Sequence, residues 1–159
     1  MECNNVLVWN VRGLNGRAHR DAVHMLVDQE TVSLLCLQEI KLDTVDDTLI
    51  STMLGTAFDY SYLPAVHTCG GILVAWRRDT WSLANVELAK YSITAQVTTT
   101  STARSWWLTV VYGPHLDRDK PEFLQELKDI RQARQGRWLV YGDFNMYYQA
   151  ADKNNLVLN

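Results

Sequence analysis

A chain of 159 residues with 47% apolar and 21% charged residues has the make-up of one globular domain and excludes a disordered or low-complexity polymer. Its three cysteines, Cys3, Cys36 and Cys69, are odd in number and form no Cys-x-x-Cys pair, which argues against a disulfide scaffold and a zinc ribbon alike. The net charge of −3 lacks the basic footprint of proteins that grip many phosphates, so any DNA contact is expected to be local and weak.

The first element in chain order is a strand over residues 5–10, where Val6, Leu7, Val8 and Trp9 make a short apolar run. A Gly-containing turn follows, then a helix over 17–29 with Ala18, Ala22, Met25 and Leu26 at helical spacing. Residues 32–37 form a second apolar run rich in branched side chains, the pattern of a central strand. A short helix is expected from near Thr44 to Leu54, with acids at its front. Residues 59–63, 71–76, 81–88, 93–99 and 104–112 then read as successive strands without an intervening helix, which favours antiparallel pairing. Residues 98–102 are polar enough to form a loop tip.

Pro121 opens another helix, with Phe123, Leu124, Leu127 and Ile130 inward and Gly136 ending it. A last buried strand over 138–141 leads into Gly142-Asp143-Phe144-Asn145, and 146–159 reads as an irregular tail. The sum is one α/β domain of mixed and antiparallel strands with flanking helices. No window supplies the run of about 20 apolar residues that spans a bilayer, and the N-terminus lacks a basic leader. The expected setting is intracellular, nuclear or cytoplasmic, with an organelle left open.

Asn10, Glu39, Tyr112 and Asp143 with Asn145 each stand at or just past the end of an apolar strand, where α/β folds assemble sites. Glu39 either pairs with Lys41 or another cation in an ordinary salt bridge or contributes the single carboxylate that magnesium favours. Asp143 and Asn145 flank Phe144. On an extended segment they would share one side and suit positioning a water and a developing oxyanion; equally, the same residues form an Asx turn. Tyr112 can offer its hydroxyl to a phosphate or sit in the core with a wet tip. Asn10 can join a metal shell or cap the turn after it. Arg12, with Arg17 and Arg20, forms a small basic patch that is either solvated or phosphate-binding. His19, His24 and His67 read as structural or solvated, while His115 lies near the strand-end cluster.

Taken in order, Trp9-Asn10-Val11-Arg12-Gly13-Leu14-Asn15, Leu37-Gln38-Glu39-Ile40-Lys41, Gly70-Gly71-Ile72, Val111-Tyr112-Gly113-Pro114 and Gly142-Asp143-Phe144-Asn145 resemble the endonuclease/exonuclease/phosphatase superfamily. Within it they look most like the endonuclease domain of plant-type LINE retrotransposons. The resemblance implies a four-layer α/β sandwich that hydrolyses phosphodiesters with magnesium and nicks DNA to prime reverse transcription. By motif match, Glu39 holds the metal, Asn10 supports its shell, Tyr112 contacts the phosphate, and Asp143 with Asn145 handles water and transition state. Arg12 and His115 are the substrate-binding candidates; members often carry an asparagine at the position of His115.

Members also continue past Gly-Asp-Phe-Asn to a terminal Ser-Asp-His, whereas after Asn145 this sequence has no histidine and Asp152 as its only acid. Residues 1–159 are therefore expected to form a single incomplete domain, a truncated four-layer sandwich holding magnesium at low occupancy. The leading expectation is a retrotransposon-derived protein without efficient catalysis, acting through contact of an uncovered face with another chain or a second copy. The alternative is a magnesium-dependent DNA endonuclease whose base comes from a dimer partner or from a substituted residue such as His115.

Overall fold

The computed structural model describes residues 4–66 and 70–146. Cys3, His67, Cys69 and the tail expected over 146–159, apart from Met146, lie outside the described residues. The elements run β1 (Asn5–Asn10), α1 (Arg17–Gln29), β2 (Val32–Gln38), α2 (Asp47–Leu54), β3 (Phe58–Leu63), β4 (Ile72–Arg77), β5 (Trp81–Leu88), β6 (Ser92–Thr99), β7 (Ser105–Tyr112), α3 (Lys120–Gln132) and β8 (Trp138–Asp143). Their order and type follow the sequence reading, apart from a 3₁₀ turn at Asp117–Asp119 before α3 and a β8 that is half-exposed where a buried strand is expected; the other differences have local physical causes.

Helix α2 begins at Asp47 instead of near Thr44, because the Asp46 carboxylate accepts the Leu49 N–H at 2.8 Å and caps the helix there. Helix α3 stops at Gln132, short of Gly136, whose carbonyl instead accepts a hydrogen bond from the Arg131 guanidinium. Leu124, expected inward, is 41% exposed. Phe123, Leu127 and Ile130 occupy the inward face, and Leu124 lies a quarter-turn off it.

The strands form two four-stranded sheets of order β1-β2-β4-β3 and β5-β6-β7-β8. Both are mixed: β1 runs parallel to β2 and β7 parallel to β8, while the other pairs are antiparallel. The central strands explain why their apolar runs are continuous. On β2, Leu35 and Leu37 face the layer of α1 and α2, whereas Leu34 and Cys36 face the second sheet; Leu73 and Ala75 against Ile72, Val74 and Trp76 repeat this on β4. Helix α3 packs Phe123 and Leu127 on the outer face of the second sheet. The layers are thus helices, sheet, sheet, helix.

Several polar side chains inside the sandwich pair with one another. The Trp81 indole N–H donates to Ser33 Oγ at 3.0 Å, and the Thr94 and Thr109 hydroxyls share a bond of 2.9 Å. Burial pushes the Cys36 thiol up to about 12, so it stays neutral and acts as packing. The parallel pairs align strand ends: the C-terminal ends of β1 and β2 emerge at one edge, those of β7 and β8 at another, and the layering brings those two edges together.

Candidate functional site

Four strand ends meet there, and a hydrogen bond joins the two sheets. Asn10 Nδ2, at the end of β1, donates to Asp143 Oδ2, at the end of β8, over 3.0 Å. The same asparagine accepts the Arg12 N–H on its Oδ1 at 3.1 Å. Capping the turn and reaching into the site are therefore both done by one amide.

The loops after β1 and β2 are laced together. Val11, Gly13 and Leu14 donate their N–H groups to the carbonyls of Gln38, Glu39 and Ile40, and Lys41 donates to Gly70. To thread this lacing, Glu39 takes a left-handed backbone conformation with φ of 55°. An unbranched non-glycine residue held there costs on the order of 1 kcal/mol, which the surrounding bonds must impose.

Glu39 has Lys41 Nζ at 3.2 Å from Oε1, the ordinary salt-bridge reading, but its surroundings go further. Partial burial works against its charge, yet hydrogen bonds from Asn10, Lys41 and Tyr112 and the Lys41 charge outweigh burial and hold its pKa below the usual carboxylate range. A carboxylate kept anionic, little exposed and beside two neutral side chains suits a hard cation. Magnesium takes few protein carboxylates and completes its shell with water and phosphate, so Glu39 with the Asn10 amide fits its donor chemistry. Among the described residues no cluster of three or more His, Cys, Asp or Glu side chains forms a closed metal cage.

Tyr112 ends β7 and is almost wholly buried, with its hydroxyl 2.9 Å from His115 Nε2. Gly70 makes this packing possible. A Cβ there would lie 2.8 Å from the Tyr112 ring and 3.1 Å from the Glu39 Cα, so a side chain would push the two apart. The sequence reading placed Gly70 in a motif without giving it this task; a Gly-Gly pair directly before a buried strand is the signal that could have done so.

Asp143 and Asn145 do not share one side of an extended segment. Strand β8 ends at Asp143, Asn145 is left-handed with φ of 50°, and Asp143 Oδ1 accepts the Asn145 N–H at 3.0 Å. The Asx-turn alternative is the one formed. The Asn145 amide donates to the Gly113 carbonyl at 2.6 Å, tying the turn to the end of β7. Gly113 must be glycine for this, since a Cβ would stand 2.1 Å from the Phe144 carbonyl oxygen. Both Asp143 oxygens thus already accept hydrogen bonds, which orient the carboxylate and leave further lone pairs for a water.

The structure therefore brings together Asn10, Glu39, Tyr112, His115, Asp143 and Asn145. It does not bring in the basic patch. The Arg12 side chain is exposed on its loop, Arg17 pairs with Asp21, and Arg20 donates to the carbonyls of Leu14 and Asn15. His19 and His24 bond the carbonyls of Gly13 and Met53, a structural use of both.

Comparison with known proteins gives a consistent picture. The sequence profile described as Endonuclease/Exonuclease/phosphatase family matches residues 7–159. No curated protein sequence matches significantly. The fold is similar to the human Nocturnin catalytic domain with bound sulfate (TM-score 0.69, 16% identity, covering 89% of this chain and 64% of that one). It is similar to Danio rerio TDP2 complexed with single-strand DNA product (0.68, 15%, 89% and 60%). It also resembles the mannosyl-6-phosphatase of Bacteroides thetaiotaomicron (0.62, 13%, 88% and 64%). This chain thus spans less than two thirds of the length of each of these structures.

Proposed function

The chain belongs to the endonuclease/exonuclease/phosphatase family, and from that membership we propose that its strand-end cluster is the cation- and phosphate-holding edge of a phosphodiester-hydrolysing centre. The supporting observation is the convergence of Asn10, Glu39, Tyr112 and Asp143 from four strand ends of two sheets, pinned by the Asn10–Asp143 bond. Family members are generally dependent on a divalent metal. Glu39 and Asn10 would hold magnesium, whose chemistry when bound is to neutralise charge growing on a phosphate oxygen. Asp143, fixed by Asn10 and the Asn145 N–H, orients a water through its remaining lone pairs. The motif resemblance to LINE endonuclease domains makes DNA phosphodiesters the substrate to test first.

The decisive assay is nicking of supercoiled plasmid with and without magnesium by wild type, Glu39→Ala and Asp143→Ala. Metal-dependent nicking lost in both variants supports the reading. A folded wild-type chain without nicking, or nicking indifferent to both substitutions, overturns it.

A second reading, action through contact with another chain or a second copy, draws on a different observation. An apolar groove of about 550 Å³ runs between α3 and β8, lined by Leu124, Leu127, Trp138, Val140 and Phe144. Light scattering on the eluting protein tests it: a monomer with no binding of an apolar dye sinks it.

A further inference from the structure

We propose that Lys41 is the resident counter-ion of Glu39: its ammonium takes up the carboxylate oxygen that a divalent ion needs, and gives it up when that ion binds. The inference deepens the reading of the site given above and rests on it. Lys41 Nζ stands 3.2 Å from Glu39 Oε1, with the glutamate side chain 19% exposed and the lysine side chain 53%. Ile40 between them has no exposure and is anchored in the core beneath α1 and α2, while its two neighbours, both left-handed with φ of 55°, meet outside that core. The Lys41 backbone is fixed. Its N–H donates to the Gly70 carbonyl at 2.7 Å, and its own carbonyl accepts from Asn15 Nδ2 at 3.0 Å. The stem lies along Gly13, where an added Cβ would come within 3.4 Å of Lys41 Cδ. Only the far end of the side chain is left free to turn.

One carboxylate oxygen cannot serve two cations. An ammonium and a divalent ion on the same group would stand within about 4 Å of each other, where like charges repel strongly even near a protein surface. Lysine suits a post that has to be given up, because its charge is a compact, well-hydrated point on a flexible stem and a half-exposed pair of this kind is weakly held. An arginine would grip the carboxylate with a planar fork. Swinging the ammonium into water needs no loop movement, since the Lys41 backbone bonds and the buried Ile40 stay where they are. Glu39 thus has a counter-charge before the ion arrives as well as after.

Two measurements on the full chain at neutral pH decide the matter. Binding of Mn²⁺ as a probe ion, followed by loss of the free-ion electron resonance signal, should tighten about 2- to 10-fold in Lys41→Met and should not tighten in Lys41→Arg. A lysine that merely steadied Glu39 would give weaker binding in Lys41→Met, and that result overturns the proposal. The second measurement follows the displacement itself. In protein carrying ¹³C-labelled lysine, saturation with Mg²⁺ should move the Lys41 ε-methylene signal toward its position in Glu39→Gln, while that of Lys90, paired with Glu122, stays in place. Saturation that leaves the Lys41 signal unmoved overturns the proposal even where Lys41→Met binds more tightly, since net charge alone is then at work. Equal Mn²⁺ affinity in wild type and Lys41→Met removes the proposal and leaves the cation reading standing, whereas no binding in either removes both.

Discussion

The two sheets have four strands each but are finished very differently. The first is covered by α1 and α2 over a contiguous core in which Leu35, Leu37 and Leu73 have no exposure. Among the described residues the second has α3 alone, and its edge strand β8 leaves Leu139 45% exposed, as β1 of the first sheet leaves Val8 36% exposed. β1 and β8 lie against each other across the two sheets, and both keep an exposed apolar side chain. The site lies at one end of that edge, with Glu39 held by the well-covered half and Asp143 by the sparsely covered one. Burial thus makes one contributor to the site firm and leaves the other dependent on local bonds.

The sharpest way to break this contrast is Leu35→Ala against Leu139→Ala. The first should cost about 2–5 kcal/mol in urea unfolding, as buried leucines do, and the second under about 0.5 kcal/mol, as for surface positions. Similar losses would show Leu139 to be covered in solution. Next is Gly70→Ala, which wedges Tyr112 from Glu39; overpacking of this kind costs about 1–3 kcal/mol and should be visible in the same unfolding curves.

Asn10→Ala removes one bond between the halves, the Trp81–Ser33 bond being another, with an expected loss of about 1 kcal/mol and faster amide exchange in β8 than in β2. If exchange in the two strands rises equally, the halves are not independent. The smallest effect is one of sign with pH. The Glu39 pKa is depressed, so its contribution is present above the ordinary carboxylate value near 4.5 and is lost as pH falls below it. Burial raises the Glu126 pKa despite bonds from Ser92 and the Tyr91 and Lys90 amides, so α3 gains relative stability on the same acidification. The stability difference between wild type and Glu39→Gln should shrink toward low pH, and that between wild type and Glu126→Gln should move the other way.

Much of this was legible in the sequence because it depends on local pattern. The unbroken apolar runs of β2 and β4 and the strand-end placing of Asn10, Glu39, Tyr112 and Asp143 need only periodicity and neighbours. What was not legible depends on partners far along the chain. The turn at Asn145 is decided by the Gly113 carbonyl, the outward position of Leu124 by which arc of α3 meets the sheet, and the bonds of Arg20 to the Leu14 and Asn15 carbonyls by the loop it folds back upon. Gly70 was visible as a residue but not as the space it leaves, because the two side chains that close on it stand just past the end of β2 and at the end of β7.

The bond between Asn10 and Asp143 works as a clasp at the ends of two strands that also lie against each other. Under the proposed function the same pair would serve both chemistry and closure. An alanine at Asp143 removes a charge and also a bond between the halves, so any loss of nicking it caused would mix two causes. Asp143→Asn keeps a side-chain oxygen to receive Asn10 while discarding the charge, and it separates what the alanine confounds.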